Sequence, residues 1–431
     1  MMEKKSDAGR SARLIAPENR IPFILVTALF LFWGIPNNLN DILIKQFMKS
    51  FEISRLEAGL IQSSFYMGYF LLALPAAMIM RKFSYKTGLV TGMFLYSIGT
   101  FLFWPAAHSG TYGFFLFALF IIASGLSFLE TGANPFIAGL GNPESSERRL
   151  NFSQAFNPFG AIMGVLIGTI FIFSGLEPSL PEIEAMKQAG EYSAFLESET
   201  MRVVRPYMVL GIVILLWALL ILRTKFPVIT AEEKTDEKNG NFRDLFKYRH
   251  FITGVFAQFC YVGAQVGTWS YFIQYSQDYT GIAEKTAGLF LTGTLVAFLI
   301  GRFSATVLMK YLKPGKLMGL YSVINIFLVA VAVIFPGWIG VWAIFLSSFF
   351  MSLMFPTIFA LGIKGLGPNT KIAGSLIVMA IVGGGVFTPL MGLIADESMA
   401  LAMLIPLGCY CIITLYAFWW SVPKKLQVTE N

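Results

Sequence analysis

The sequence predicts an all-α membrane protein with twelve transmembrane helices arranged as two pseudo-symmetric six-helix bundles. Three observations predict it: an excess of apolar residues, a dozen continuous apolar runs, and a one-sided distribution of Lys and Arg between those runs. The chain has 431 residues, of which 56% are hydrophobic and 13% charged, with 42 Phe among them. Soluble domains carry about 25% charged residues. So little charge cannot cover so much apolar surface in water, whereas a lipid solvent removes the difficulty.

A helix needs about 20 apolar residues to cross the hydrocarbon core. Twelve stretches meet that length, at roughly 21–46, 58–80, 87–107, 112–139, 151–174, 206–223, 250–276, 285–309, 316–336, 338–364, 371–394 and 400–421. A transmembrane β-barrel would alternate apolar and polar residues over about ten positions; these runs are continuous and too long for that. Residues 1–20 are polar, and the run that follows exceeds the apolar core of a cleavable signal. It is expected to insert and stay.

Basic residues concentrate on the cytoplasmic side of membrane proteins. With twelve spans, the termini and even-numbered loops share one side, which holds 24 Lys and Arg against 7 on the other. Arg302 is left inside a span. Both termini are therefore expected in the cytoplasm. The formal charge of +7 is scattered between spans, which does not suit nucleic-acid binding.

The expected organisation is a tail at 1–20, a six-helix bundle at 21–225, a cytoplasmic linker at 226–248, a second bundle at 249–422 and a tail at 423–431. A faint repeat joins the bundles. Ala58-Gly59-Leu60 opens span two and Met80-Arg81 closes it; Ala287-Gly288-Leu289 and Met309-Lys310 do the same for span eight, at an offset of 229. Pro135-Phe136-Ile137-Ala138-Gly139-Leu140-Gly141 in span four matches Pro356-Thr357-Ile358-Phe359-Ala360-Leu361-Gly362 in span ten. Parallel repeats of this kind place a substrate site near the midplane. Pro36, Pro75, Pro135, Pro158, Pro356 and Pro389 interrupt spans, either lining a cavity or simply bending helices.

Ionisable residues inside a membrane cost about 2.5–3.5 kcal/mol on insertion scales, so each needs a reason. In span one, Asn37, Asn40 and Asp41 follow i, i+3, i+4 spacing and share a face, with Asn38 beside them. Amides and a carboxylate suit sugar hydroxyls, which both donate and accept. The alternative is that the span ends near Pro36 and the cluster is a solvated loop. In span four, Glu130 lies one turn from Asn134. Low dielectric favours the neutral form of an acid, which makes Glu130 a candidate proton carrier; a structural hydrogen bond or ion pair is the other reading. No span core contains a histidine, so protons would travel on carboxylates.

Gln154 and Asn157 share a face in span five. Gln258, Tyr261, Gln265 and Trp269 form a polar and aromatic stripe in span seven, suited either to sugar or to packing. Gln62 and Tyr66 are a weaker case of the same kind. Arg302 is read as structural or gating, Asp396 as interfacial, and the acidic loop Gly175–Met201 has no assigned role. Cys260, Cys409 and Cys411 fall in apolar runs without metal-binding spacing, and no motif of an enzyme, cofactor or metal site is present.

Several motifs resemble the bacterial L-fucose permease family of the major facilitator superfamily: Asn37-Asn38-Leu39-Asn40-Asp41-Ile42-Leu43; Ala58-Gly59-Leu60-Ile61-Gln62-Ser63; and Leu129-Glu130-Thr131 with Ala133-Asn134-Pro135-Phe136. So do Gln154-Ala155-Phe156-Asn157, the stretch Gln258-Phe259-Cys260-Tyr261-Val262-Gly263-Ala264-Gln265, Phe355-Pro356-Thr357-Ile358-Phe359 and Gly383-Gly384-Gly385. The resemblance runs from about Ile21 to Asp396 in one register. It implies a proton symporter of the bacterial inner membrane that takes fucose, galactose or glucose. It implies that Asp41 is the substrate-linked acid and Glu130 the proton-linked acid, with Gln154 and Asn157 lining the same cavity and Asn38 near Asp41. Glucose/galactose members have an amide in place of the acid on the fourth helix, so Glu130 points to the fucose branch. Pro158 stands where the family has Ser, and Gly132 where it has Ala. Both neighbour the implied cavity residues and bear on which sugar is taken.

The expectation is therefore proton-coupled symport of a monosaccharide, L-fucose first, by alternating access. Glu130 and Asp41 would couple protons, and Asn38, Asp41, Gln154, Asn157, Gln265 and Trp269 would bind sugar. The expected partners are sugar, proton and membrane lipid, with a monomer as the working unit. The alternatives are a glucose/galactose symporter and an exporter of another small solute.

Overall fold

The structure is a computed structural model that describes residues 17–141, 152–227, 242–309, 311–366 and 369–421, with positions 15 and 149. The expected tail 423–431 lies outside the described residues, as do most of the tail 1–20 and most of the linker 226–248. The described residues are mostly helical, and no strand occurs among them.

The first half contains α1 (Arg20–Phe51), α2 (Arg55–Lys82), α3 (Tyr85–Ser109), α4 (Tyr112–Gly139), α5 (Phe152–Ile172) and α6 (Tyr192–Arg223). The second contains α7 (Arg249–Ser270, continued by Phe272–Thr280), α8 (Glu284–Leu308), α9 (Pro314–Ile334), α10 (Trp338–Gly362), α11 (Thr370–Ala395, through a tighter turn at Ala380–Val382) and α12 (Met399–Trp420). Eleven are long and apolar enough to cross a membrane. The exception is α7, which carries Gln258, Gln265, Thr268 and Ser270; polar side chains that disqualify it by hydropathy are the ones a cavity-facing helix needs.

Helix α1 runs unbroken through Pro36 for 32 residues. A solvated loop at Asn37–Asp41 is thereby excluded, and Asn40 and Asp41 are 0% and 3% exposed. Helix α6 begins at Tyr192, well before the apolar run expected at 206–223. The acidic loop before it contains a short helix, Leu180–Ala189.

The chain forms two compact units. Unit 1 gathers 1–40, 67–174 and 180–233; unit 2 gathers 41–66, 175–179 and 234–431. In unit 1, glycines let helix backbones touch, the usual basis of packing where lipid gives no hydrophobic drive. A Cβ on Gly160 would strike the Leu31 carbonyl of α1, one on Gly34 the Asn157 carbonyl of α5, and one on Gly164 the Ile35 carbonyl. Gly92 and Gly125 play the same part between α3 and α4. The Tyr207 ring of α6 stacks on Phe103 at 3.7 Å.

In unit 2, the later half of α1 and the start of α2 pack with the later helices. A Cβ on Gly59 of α2 would come within 2.7 Å of the Pro389 Cα of α11, and the Ser63 hydroxyl donates to the Gly385 carbonyl. Gly383 of α11 lies against the Phe259 carbonyl of α7, and Gly301 of α8 against the Phe349 carbonyl of α10.

Candidate functional site: two polar constellations

The first constellation lies in unit 2 around Asp41. Its Oδ1 accepts hydrogen bonds from the Ser270 hydroxyl of α7 at 2.8 Å and from Gln62 Nε2 of α2 at 3.1 Å. Gln62 Nε2 also donates to the Ser270 Oγ at 2.9 Å, which closes a triangle. Gln62 and Ser270 are 1% and 0% exposed. With two neutral donors and no cation among the described residues, this buried carboxylate is held by hydrogen bonds rather than by an ion pair.

Ser270 went unrecognised in the sequence, yet a signal was present. It stands 229 residues after Asp41, the offset that relates Ala58 to Ala287. The bond thus joins repeat-equivalent positions on α1 and α7. Gln62, the weaker of the sequence candidates, proves central.

The α7 stripe is sorted by its contacts. Trp269 is 8% exposed, its indole N–H donates to the Ser348 hydroxyl at 3.1 Å, and its ring meets Phe298 edge-on. Gln265 is half-buried, and among the described residues no hydrogen bond joins it or Trp269 to Asp41. Gln258 is fully buried, and neither end of its amide has a hydrogen-bond partner among the described residues. Arg302 of α8 reaches the Ser352 carbonyl at 3.4 Å, with its guanidinium 5.1 Å from the centre of the Phe298 ring.

The second constellation lies in unit 1. Glu130 is half-buried on α4, and among the described residues its carboxylate has no hydrogen-bond or ion-pair partner. One turn on, Asn134 Nδ2 donates to the Glu130 backbone carbonyl at 3.0 Å, which leaves its Oδ1 free to accept from Gln154 Nε2 at 3.2 Å. Glu130, Asn134 and Gln154 therefore form one row across α4 and α5. Asn157 Nδ2 donates to the Phe30 carbonyl at 3.3 Å, an inter-helix tie made possible by the glycine contact at Gly34. Asn38 is half-buried, and its amide folds back on Gly34 at 3.4 Å.

A third cluster, in unit 2, gives the acidic loop a structural part. Lys49 Nζ lies 3.1 Å and 3.2 Å from the two oxygens of Glu284 and donates to the Leu176 carbonyl. Glu284 is fully buried and also accepts from the Gly175 N–H at 2.9 Å. Glu177 accepts from Gln277 Nε2 and from the Glu284 N–H. Nearby, Arg55 pairs with Asp278 and donates to the Ala395 carbonyl, while Asp396 accepts from the Arg55 N–H at 3.0 Å. The segment 175–179 is thus clasped to α1, α7 and α8 by charge. Single apolar runs could not reveal it, because the partners are 100 or more positions apart. Among the described residues, no group of His, Cys, Asp and Glu could hold a metal ion.

With this geometry in place, the chain can be set beside known proteins. Residues 22–371 match the model of the Major Facilitator Superfamily. The chain is 44% identical over 418 residues to the L-fucose-proton symporter of Escherichia coli, covering 95% of this chain and 94% of that protein. It is 33% identical over 396 residues to a glucose/galactose transporter of Brucella abortus, covering 91% and 92%. The crystal structure of the E. coli fucose:proton symporter superposes with a TM-score of 0.69 at 44% identity, over 93% of this chain and 98% of that one. The chain belongs to the major facilitator superfamily and, within it, to the family of the bacterial L-fucose permeases.

Proposed function

We propose that this protein carries L-fucose into the cell together with a proton, by alternating access across the inner membrane. The observation that carries the reading is the Asp41–Gln62–Ser270 triangle. It is a buried carboxylate held, among the described residues, by amide and hydroxyl donors, the chemistry that exchanges readily with sugar hydroxyls. Glu130, with no partner of its own among the described residues, is the proton carrier. The similarity to L-fucose-proton symporters supports fucose, and the acid at Glu130 supports the same branch.

In this scheme Glu130 takes a proton from the outside. Sugar engages Asp41 and Asn38 on α1, with Gln154, Asn157 and Gln265 completing the polar contacts and Trp269 supplying an apolar wall. Loss of the charge on Glu130 removes the penalty for enclosing a bare carboxylate in a dry site. Release of sugar and proton on the inside then resets the cycle. The halves at 21–225 and 249–422, joined by the linker 226–248, are the alternating bodies. Both termini face the cytoplasm, and a monomer suffices.

A glucose/galactose symporter is the second reading, favoured by the relatives of that name at 33–34% identity. Uptake into proteoliposomes under an imposed pH gradient, against fucose, galactose, glucose and arabinose, separates the two. Gradient-driven accumulation of fucose above the other sugars is expected. Accumulation of glucose or galactose in its place would move the protein to the second reading, and uptake indifferent to the gradient would remove proton coupling.

A further inference from the structure

Unit 1 carries a cavity of about 850 Å³ that the transport scheme does not use. It opens sideways between α1, α5 and α6. Leu31 and Ile35 of α1, Met163 and Ile170 of α5, and Val209 and Val213 of α6 contribute to its apolar walls. Ile170 and Val209 are 56% and 62% exposed, so the groove is open along helices that face hydrocarbon in a membrane.

One end of the groove is different. Arg202 and Arg205 line it, together with Ser198, and no acidic residue does among the described residues. Helix α5 ends in a π-helical turn at Gly168–Ile172, which turns the Ile172 and Phe173 carbonyls toward α6. Arg202 donates to them at 2.7 Å and 3.1 Å. Its guanidinium is thereby held in place with three of its five N–H groups still available. Arg205, one turn further and on the same face, is exposed and has no hydrogen-bond or ion-pair partner among the described residues.

The depth of this end follows from helix length. Arg205 and Arg223 are 18 residues apart on α6, which at 1.5 Å per residue is about 27 Å. That is close to the hydrocarbon thickness of about 30 Å. With Arg223 at one interface, Arg202 and Arg205 stand at the headgroup level of the other. An apolar slot running into the bilayer from two arginines that have no ion-pair partner among the described residues complements the shape and charge of one kind of membrane molecule. We infer that the α1–α5–α6 groove is a binding site for an anionic phospholipid, with its phosphate at Arg202 and Arg205 and its acyl chains along Ile35, Met163 and Val209.

The test is native mass spectrometry of the full chain released from vesicles of equal phosphatidylglycerol and phosphatidylcholine. Retention of phosphatidylglycerol adducts over phosphatidylcholine is expected. Arg205→Gln leaves the Arg202 carbonyl contacts intact and should lower that preference about fivefold, the value of one basic residue at a lipid surface. Val209→Trp, which fills the groove, should reduce adducts of both lipids. Equal retention of the two lipids by the unsubstituted protein would overturn the inference, as would an undiminished preference in Arg205→Gln.

Discussion

Replacing Glu130 with Gln isolates the proposed proton step. The substitution keeps volume and hydrogen-bonding reach. Neither contact that orders its surroundings involves the carboxylate: Asn134 bonds the Glu130 backbone carbonyl, and Gln154 bonds Asn134. The change in stability should therefore stay within about 0.5 kcal/mol. The effect on work should be large. One charge crossing 100 mV releases about 2.3 kcal/mol. At about 1.4 kcal/mol per tenfold, this supports roughly fifty-fold accumulation of a sugar coupled to one proton. Uncoupled, the ratio falls to unity. Radiolabelled fucose uptake into proteoliposomes with an imposed potential reads the difference, and counterflow without a gradient checks that the carrier still turns over. Accumulation above about tenfold in Glu130→Gln, with normal counterflow, would refute the assignment of the coupled proton to this residue.

Asp41→Ala should abolish sugar binding measured by calorimetry and lower stability by about 1–3 kcal/mol, because Gln62 and Ser270 are left buried with a lost partner; Asp41→Asn should retain the stability and weaken the binding. Ser270→Ala removes the shorter of the two hydrogen bonds to Asp41 and should weaken sugar binding, with a smaller loss of thermal stability than Asp41→Ala. Gly160→Ala drives a methyl into the Leu31 carbonyl and should lower stability by about 1–3 kcal/mol, read by thermal unfolding in detergent. Lys49→Met leaves Glu284 buried without its cation and should destabilise by about 3 kcal/mol. Adding Glu284→Gln should recover part of that loss, and a strictly additive double variant would argue against the clasp.

Hydrophobicity and charge bias alone were enough to specify a bundle of spanning helices. Lipid forbids unsatisfied backbone, so a continuous apolar run of sufficient length has one solution. Isolated polar residues in such runs are expensive, and that expense made Asp41, Glu130 and Gln154 visible before any coordinates. The same logic under-read α6, whose polar first turns, Tyr192–Arg205, extend beyond the hydrocarbon span.

Partnerships, by contrast, were decided only by tertiary structure. Hydrogen bonds are short and directional, and the chain positions they join are set by how helices cross rather than by any local pattern. Ser270 reaches Asp41 from 229 residues away, and Glu284 finds Lys49 from 235 away. Trp269 turned to Ser348 instead of to the acid. Composition and periodicity can therefore say which residues need a partner in the membrane, because burial energy is a property of each side chain. Which partner each one finds depends on the three-dimensional meeting of helices, and that includes the Asp41–Gln62–Ser270 triangle, the Lys49–Glu284 clasp and the arginine-lined groove.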